Sequence, residues 1–489
     1  MFAPIIGWIP DADDTSTGAL PDVANMIPTV RGYAGAPSAI SIGLAALAAE
    51  CRGALAITIL DGTTVLFAGT QTKLYKAGSA SWTDVTAGAG DYTGSTVSRW
   101  CFTQQGNVTL AANKVDASQY YLHGTSTDFA ALAGMPKALL VEAVGNFILI
   151  GNYNDGTEVV DGWGCSALGD YTDWTADPDT QCTFGRLYDT PGPLVGLRRL
   201  MDYAIYYKRR SMYLGRYVGQ PNIWEFALLS DVVGAVSQEA VVPVGIDIAG
   251  SAVHFFLGDD NFYSYDGASL KPIGDQIKEF FNLDCNNAAR TRTIGTYDQR
   301  SGLVYWFYPQ GTATIPTAWV AYNPRVGRWG KGTLSVEAAL QFVTAGSSYN
   351  DLDALYGTYD GFPSVSYDEL NPSGYSRLPA IFDTSHALRT LSGTPGASSL
   401  TSNDIGQDGE ITLLSGVRPR YLQSPSSGTM TNYYRDSPGD HLTVDATVPI
   451  ASGKFDVLRS ARWHRVTLSH TGVVELSGAD ISLQPDGMT

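Results

Sequence analysis

A short two-strand unit recurs through most of this chain and limits the folds that it can form. Each unit has an apolar run, a turn rich in Gly, Asn or Asp, and a second run rich in Tyr and Trp. The first strands of the units begin near 65, 107, 146, 203, 252, 303 and 352. Intervals of roughly 39 to 57 residues suit a four-stranded sheet with its loops, and radial repetition of such sheets makes a β-propeller. We therefore predict an all-β fold with a propeller of six or seven blades.

Composition agrees with many short strands joined by tight turns. The chain contains 53 Gly, 27 Tyr and 10 Trp, and only 16% of its residues are charged. Strands favour aromatic and β-branched residues, and turns favour Gly. A set of unrelated β-hairpins in sandwich domains is the alternative interpretation of the same pattern.

Three regions differ in their content of Pro, Gly and Ser and in the spacing of their strands. We predict one structural part for each. Residues 1–36 contain prolines that forbid a helix interior, so we expect an extended N-terminal arm. Residues 37–370 carry the repeated units of the propeller. A passage rich in Ser, Gly and Pro then introduces 371–489, whose strands have another spacing and predict a β-sandwich-like platform domain that the arm packs against.

Two stretches depart from the strand pattern. Asp275 is a plausible N-cap for a short helix that places Ile277, Phe280 and Phe281 on one face, between two blades. Residues 38–50 are small and apolar, and their periodicity decides neither for a helix nor for a strand.

Charge and cysteine usage exclude several classes of protein. The net charge is −17, which argues against a conventional nucleic-acid-binding module but allows a protein that lets nucleic acid pass. The five cysteines form no CxxC pair, so we expect reduced, buried thiols in a protein made in a cytoplasm. We expect no membrane-spanning segment and no signal peptide.

No catalytic, cofactor-binding or metal site is predicted. The six histidines form no HxH or HExxH, and His464 and His470 only flank one strand and its turn. Because a propeller can be a glycosidase, paired carboxylates are the alternative candidates, but each sits in a turn-like context that explains it. These acidic groups are Asp11/Asp13/Asp14, Asp177/Asp179 and Asp259/Asp260.

Neighbouring arginines give no convergent site either. Arg198-Arg199 and Arg209-Arg210 are adjacent pairs, whose members would point to opposite faces of a strand. The stretch Ser166 to Trp174 matches the Asp-box turn of sialidase propellers only in part.

Three passages together resemble the tail nozzle, or tail tubular protein B-like, and tail hub proteins of short-tailed bacteriophages. The arm carries Asn25, Pro28, Gly32 and Tyr33 in an N-x-x-P-x-x-x-G-Y pattern. The middle of the chain carries SALGDYTDW and YYKRRSMYLG. The last part carries LTSNDI, VRP, RWHR and SG. The whole chain is shorter than the larger nozzle proteins. These passages are Ser166 to Trp174, Tyr206 to Gly215, Leu400 to Ile405, Val417 to Pro419, Arg462 to Arg465, and Ser477 to Gly478.

The resemblance implies a virion structural protein with no enzymatic activity and no cofactor. It implies self-assembly into a homohexameric ring, a head-tail adaptor above it, and tail fibres, spikes or a tail needle nearby. Genomic DNA would pass through the ring without specific binding, and six copies would carry roughly −100, a field that repels DNA. A propeller adhesin or lectin, or a glycan hydrolase acting at the host surface, is the alternative.

Overall fold

Six four-stranded antiparallel sheets, and four strands of a ten-stranded sheet, follow one another around a ring and form the seven blades of a β-propeller. The computed structural model describes residues 2–88, 90–245, 252–343 and 377–487. The first strands of successive blades contact each other, and the first strand of blade 7 contacts that of blade 1. The ring is therefore closed around a central axis. This confirms the all-β propeller fold and gives the blade number as seven.

In blades 1 to 6 the strands run outward from the axis in chain order. Blades 1 to 3 comprise Ala54–Thr58, Thr64–Gly69, Leu74–Ala77 and Trp82–Asp84; Cys101–Gln105, Val108–Ala112, Gln119–Leu122 and Ala130–Ala131; and Lys137–Val144, Phe147–Asn154, Glu158–Cys165 and Thr183–Arg186. Blades 4 to 6 comprise Leu194–Leu200, Tyr203–Lys208, Met212–Gly219 and Ile223–Ser230; Val241–Val244, Val253–Leu257, Phe262–Tyr265 and Leu270–Pro272; and Ile294–Asp298, Leu303–Tyr308, Ala318–Asn323 and Arg328–Thr333.

Blade 7 takes its outermost strand from the other end of the chain. Its first three strands are Ala338–Val343, Arg377–Phe382 and Leu388–Gly393, and Ser38–Ser41 pairs antiparallel with the last of them. The stretch 38–50 therefore begins with a strand. The predicted propeller boundary at 370 is wrong, because two strands of blade 7 extend to Gly393. The seventh predicted unit, near 352, lies outside the described residues.

In blades 1 to 6, the apolar run that begins each predicted unit is the second strand of the blade. Successive side chains of a strand point to opposite faces, and here both faces are covered by neighbouring blades. Tyr206 packs on blade 3 and Tyr207 on blade 5, and both are buried. First strands border the central cavity and carry polar residues as well, so their pattern is weaker.

Two sheets form the platform, and arm strands enter both of them. The six-stranded sheet has the order Thr443–Pro449, Ser427–Arg435, Trp463–Thr471, Ala397–Thr401 and Asp22–Ala24, with Ile405–Gly406 beside Trp463–Thr471. The other sheet continues outward from blade 6 through Met26–Pro28, Tyr33–Gly35, Glu475–Gly487, Ile411–Gln423 and Phe455–Ala461, with Phe2–Pro4 beside Glu475–Gly487. Gly7–Trp8 and Ala19–Leu20 form a parallel pair. Blade 6, the arm and the platform thus share one ten-stranded sheet.

The N-terminus of the helix between blades 5 and 6 is capped by a residue of the arm and not by a residue next to the helix. It spans Lys278–Asp284, and the backbone N–H groups of Glu279 and Phe280 donate to the carboxylate of Asp11 at 2.8 and 2.9 Å. Asp275, the predicted N-cap, instead accepts a hydrogen bond from Asn261. A 3₁₀ helix, Asn287–Arg292, follows. An N-cap acts within a few residues, so a cap delivered from the arm leaves no local sequence signal.

Candidate functional site

Tyr33 fastens the arm to blade 6. Its side chain is fully buried, and its hydroxyl donates to the carbonyl oxygen of Trp329 at 2.6 Å. The hydroxyl oxygen of Tyr33 also accepts from the backbone N–H of Trp8 at 2.6 Å. Burial raises the pKa of Tyr33 far above its ordinary value, so the hydroxyl keeps the proton that it donates. One side chain therefore ties two arm segments to the outer strand of the propeller.

Asn25 and Gly32 complete this contact on the platform side. The Asn25 amide nitrogen donates to Ala397 of the platform at 3.2 Å, and its oxygen accepts from Thr333 of blade 6 at 3.2 Å. Gly32 lies so close to the last platform strand that a Cβ there would be 2.0 Å from the carbonyl oxygen of Leu476. Only glycine permits that approach without a backbone shift.

A cluster of four charged side chains holds a second part of the arm. Asp404 is fully buried and accepts from Arg435 and, at 2.8 Å, from Arg465. Both guanidinium groups also reach Asp14 of the arm, at 2.8 and 2.9 Å. Burial opposes ionisation of Asp14, but the hydrogen bonds and charges of Arg435 and Arg465 prevail and hold its pKa below the ordinary value. We call the contacts of Tyr33, Asn25, Gly32 and this cluster the arm junction.

The central cavity of the propeller is the second candidate site. It has a volume of about 1150 Å³ and is bordered by the first strands of all seven blades. Arg99, just before blade 2, forms an ion pair of 2.5 Å with Glu239, just before blade 5. Because these blades are not neighbours, the pair spans the cavity mouth.

A second ion pair lies deeper in the ring. Arg198 of blade 4 is 3.6 Å from Glu142 of blade 3 and also donates to the carbonyl oxygen of Gln238 at 3.1 Å. Burial raises the pKa of Glu142 to about 7, although the charge of Arg198 lowers it in part. This carboxyl is therefore partly protonated near neutral pH.

The residues singled out from the sequence are kept apart by the fold. His464 and His470 lie on the same buried face of their strand, but His464 bonds Thr412 and His470 bonds Tyr421. Burial lowers the pKa of His470 to about 4. In the part of the chain that the structure describes, no group of three or more His, Cys, Asp or Glu side chains could hold a metal ion.

The acidic candidates have separate structural contacts. Asp11 caps the helix, and Asp13 and Asp177 each accept a backbone N–H two residues further on, as turn residues do. Asp259 is bound by both Arg209 and Arg210, at 2.8 and 3.0 Å.

The arginine pairs follow the expected geometry only in part. Arg209 and Arg210 lie in a turn and not in a strand, so both reach the carboxylate of Asp259 instead of pointing apart. Arg198 and Arg199 do separate: Arg198 borders the cavity and Arg199 bonds the carbonyl oxygen of Met201 at 2.6 Å.

The remaining predicted features are structural. The stretch Ser166 to Trp174 forms the loop between the third and fourth strands of blade 3, where Trp174 packs into the core shared with blade 2. The five cysteines are buried free thiols. Among the described residues, no helix has the length and apolarity needed to cross a membrane.

The sequence patterns did not connect the charged residues of either site with one another. Arg99 and Glu239 are 140 positions apart, and Asp14 and Arg435 more than 400, so no local spacing connects them. The passages that carry the phage resemblance did contain Asn25, Gly32, Tyr33, Asp404 and Arg465, but nothing in those passages indicated that the five residues meet.

No family model matches this chain, and no curated protein matches it. Among solved structures, BBS1N in complex with ARL6DN is similar at 9% identity and a TM-score of 0.39, over 73% of this chain and 95% of that one. YCF48 bound to D1 peptide is similar at 13% identity and a TM-score of 0.34, over 63% and 86%. An exo-β-1,3-galactanase from Phanerochaete chrysosporium has 9% identity and a TM-score of 0.26, over 91% and 100%. Likeness at these levels concerns the fold alone.

Proposed function

We propose that this protein is a structural component of a phage tail, a nozzle or hub. In this role six copies form a ring below the head-tail adaptor and continue the channel through which DNA leaves. Fibres, spikes or a needle attach nearby, and the protein acts in the virion without catalysis. The proposal rests on the resemblance described above together with the arm junction.

The arm junction is the observation that carries this proposal. Two of the three passages that resemble nozzle proteins supply it: Asn25, Gly32 and Tyr33 from the arm, and Asp404 and Arg465 from the platform. The third passage lies within blades 3 and 4. Two of the three passages thus meet where propeller, arm and platform join.

A joint of this kind suits a part of a pressurised channel. Two domains of one chain usually move relative to each other unless their interface is large and apolar. Here they share a ten-stranded sheet and a continuous hydrophobic core that includes Trp329, Tyr33, Val23 and Leu468. The net charge of −17 adds a repulsive field that disfavours adhesion of DNA.

Cryo-electron microscopy of the particle that carries this chain tests the proposal. We expect six copies around an axial channel at the tail, with the platform and the propeller in the relative position that the arm junction sets. Density for this chain only on peripheral fibres or spikes would contradict the nozzle role. Binding of the isolated protein to a glycan array would then favour the adhesin alternative.

A further inference from the structure

The central cavity has a charge balance opposite to that of the whole chain. The chain has 48 acidic and 31 basic side chains. Among the described residues, the cavity lining has six basic side chains and three acidic ones: Arg52, Arg99, Lys114, Arg198, Arg292 and Arg377, against Glu50, Glu158 and Glu239. A concave site with an excess of one sign concentrates ions of the other sign, because its low-dielectric walls focus the field.

Most of these basic groups are already engaged within the protein. Arg52 pairs with Glu50 at 3.0 Å, and Arg99 pairs with Glu239 and also donates to the carbonyl oxygen of Glu337 at 2.8 Å. These contacts hold the guanidinium groups in place around the mouth of the cavity.

Arg292 differs from them. It ends the 3₁₀ helix Asn287–Arg292, which also carries Arg290. Arg290 is buried and donates to Asn282 at 2.7 Å and to Asn287 at 3.2 Å. Arg292 is half-buried and borders the cavity, and among the described residues its side chain has neither an ion pair nor a hydrogen bond. Its five N–H donors are therefore available to a carboxylate or phosphate in the cavity, and their fork geometry suits such a group.

Thr296 offers a second free polar group in the same wall. It lies on the first strand of blade 6, directly after the segment that carries Arg292, and borders the cavity. Its side chain is 3% exposed, and its hydroxyl has no hydrogen-bond partner in the described parts of the chain. Because buried hydroxyl groups are nearly always hydrogen-bonded, an unpartnered hydroxyl at a cavity wall is free to donate to an acceptor on a ligand.

Apolar side chains complete the lining. Leu139, Val195, Val236, Val241 and Leu340 border the cavity, each from or next to a first strand. A volume of about 1150 Å³ slightly exceeds the roughly 300 to 1,000 Å³ of most small-molecule sites. The ligand must therefore combine a charged group with an apolar body.

We propose that the central cavity binds an organic oxyanion, a carboxylate or phosphate ester with an apolar body, through the guanidinium of Arg292 and the hydroxyl of Thr296. The apolar body lies against the first strands. This site is independent of the nozzle proposal, since it belongs to a single chain and not to the axial channel of a ring.

Titration with 8-anilinonaphthalene-1-sulfonate, an oxyanion with an apolar body, tests the site. We expect one probe bound per folded chain, with its fluorescence enhanced. Arg292→Gln should weaken binding at least tenfold, Arg292→Lys should restore part of it, and Thr296→Val should weaken it by a smaller factor. Arg300→Gln is the matched control, because Arg300 is exposed on the same blade outside the cavity.

Competitors then identify the ligand class. Displacement of the probe by octanoate but not by octyl phosphate assigns a carboxylate ligand, and the reverse assigns a phosphate ester. Equal probe affinity of the wild type and the Arg292→Gln and Thr296→Val variants would overturn the proposal. So would equal binding of N-phenyl-1-naphthylamine, an uncharged probe of similar shape. A circular dichroism melt of each variant confirms that it is folded.

Discussion

Individual side chains at the arm junction act through hydrogen bonds that few other residues could make. The hydroxyl of Tyr33 serves as donor to Trp329 and as acceptor for Trp8 in a site without exposure. Tyr305, on blade 6, is equally buried, but its hydroxyl has no partner among the described residues. Removal of the hydroxyl oxygen would therefore leave other buried groups without a hydrogen-bond partner at Tyr33 but not at Tyr305.

We expect Tyr33→Phe to destabilise the protein and Tyr305→Phe not to. The first change leaves a buried N–H and a buried carbonyl without their partner, which costs roughly 1 to 3 kcal/mol for each group. The second removes a hydroxyl that makes no hydrogen bond and should be neutral or stabilising. Urea unfolding of the two variants measures the difference. Equal loss in both would show that the Tyr33 hydrogen bonds contribute nothing.

Glu142 makes stability depend on pH in an unusual direction. Burial raises its pKa from an ordinary 4.5 to about 7, with Arg198 offsetting part of the effect. The folded state therefore binds the proton more tightly than the unfolded chain does, and stability falls as pH rises from about 4.5 through 7. We expect Glu142→Gln to abolish this pH dependence, which amounts to roughly 1 to 3 kcal/mol of unfolding free energy over that range. Parallel pH profiles of unfolding for the two proteins would contradict this assignment.

At the scale of elements, the arm joins the two domains through short strands. Met26–Pro28 pairs with blade 6 and Tyr33–Gly35 with the last platform strand, so the turn between them, which contains Gly32, decides how closely the two approach. Strands this short make few hydrogen bonds, and their position depends on packing.

We expect Gly32→Ala to loosen the arm. Its new Cβ would meet the backbone of Leu476 at 2.0 Å, and the required shift should cost about 1 to 3 kcal/mol. Hydrogen exchange should show the largest loss of protection at Tyr33–Gly35. Gly409→Ala is the control, because a Cβ there has no neighbour within 4 Å and should leave exchange unchanged. Unchanged protection in Gly32→Ala would mean that the arm can move away freely.

At the scale of the whole molecule, hydrophobic clusters are shared between neighbours. Each pair of adjacent blades has a cluster of its own, and the cluster of blades 5 and 6 continues through the arm into the platform. Among the described residues, no hydrophobic cluster belongs to the platform alone. We therefore expect propeller and platform to unfold together.

Calorimetry of Asp404→Asn tests that cooperativity. Removing the buried carboxylate leaves Arg435 and Arg465 without their main partner and should cost about 3 to 5 kcal/mol. For a chain of this length we expect one transition that shifts downward by about 3 to 5 °C. Asp456→Asn, which breaks an exposed pair with Lys454, should hardly move it. Two separate transitions, of which only one shifts, would show that the platform unfolds independently.

Hydrophobic patterning in the sequence was enough to predict the fold class and the approximate positions of most blades. A second strand such as Leu303–Tyr308 is buried on both faces, so its apolar run is continuous and visible without a structure. The change in spacing after the propeller indicated a platform domain in the same way, although the boundary came too early.

The way in which the parts are joined, and the places where charged side chains are buried, depend on contacts between distant parts of the chain. Ser38–Ser41 closes blade 7, Asp11 caps a helix near 278, and Arg99 pairs with Glu239 across the ring. Each of these contacts joins residues more than 100 positions apart. Periodicity and capping signals act within one strand or one helical turn, so such pairs become adjacent only when the ring closes.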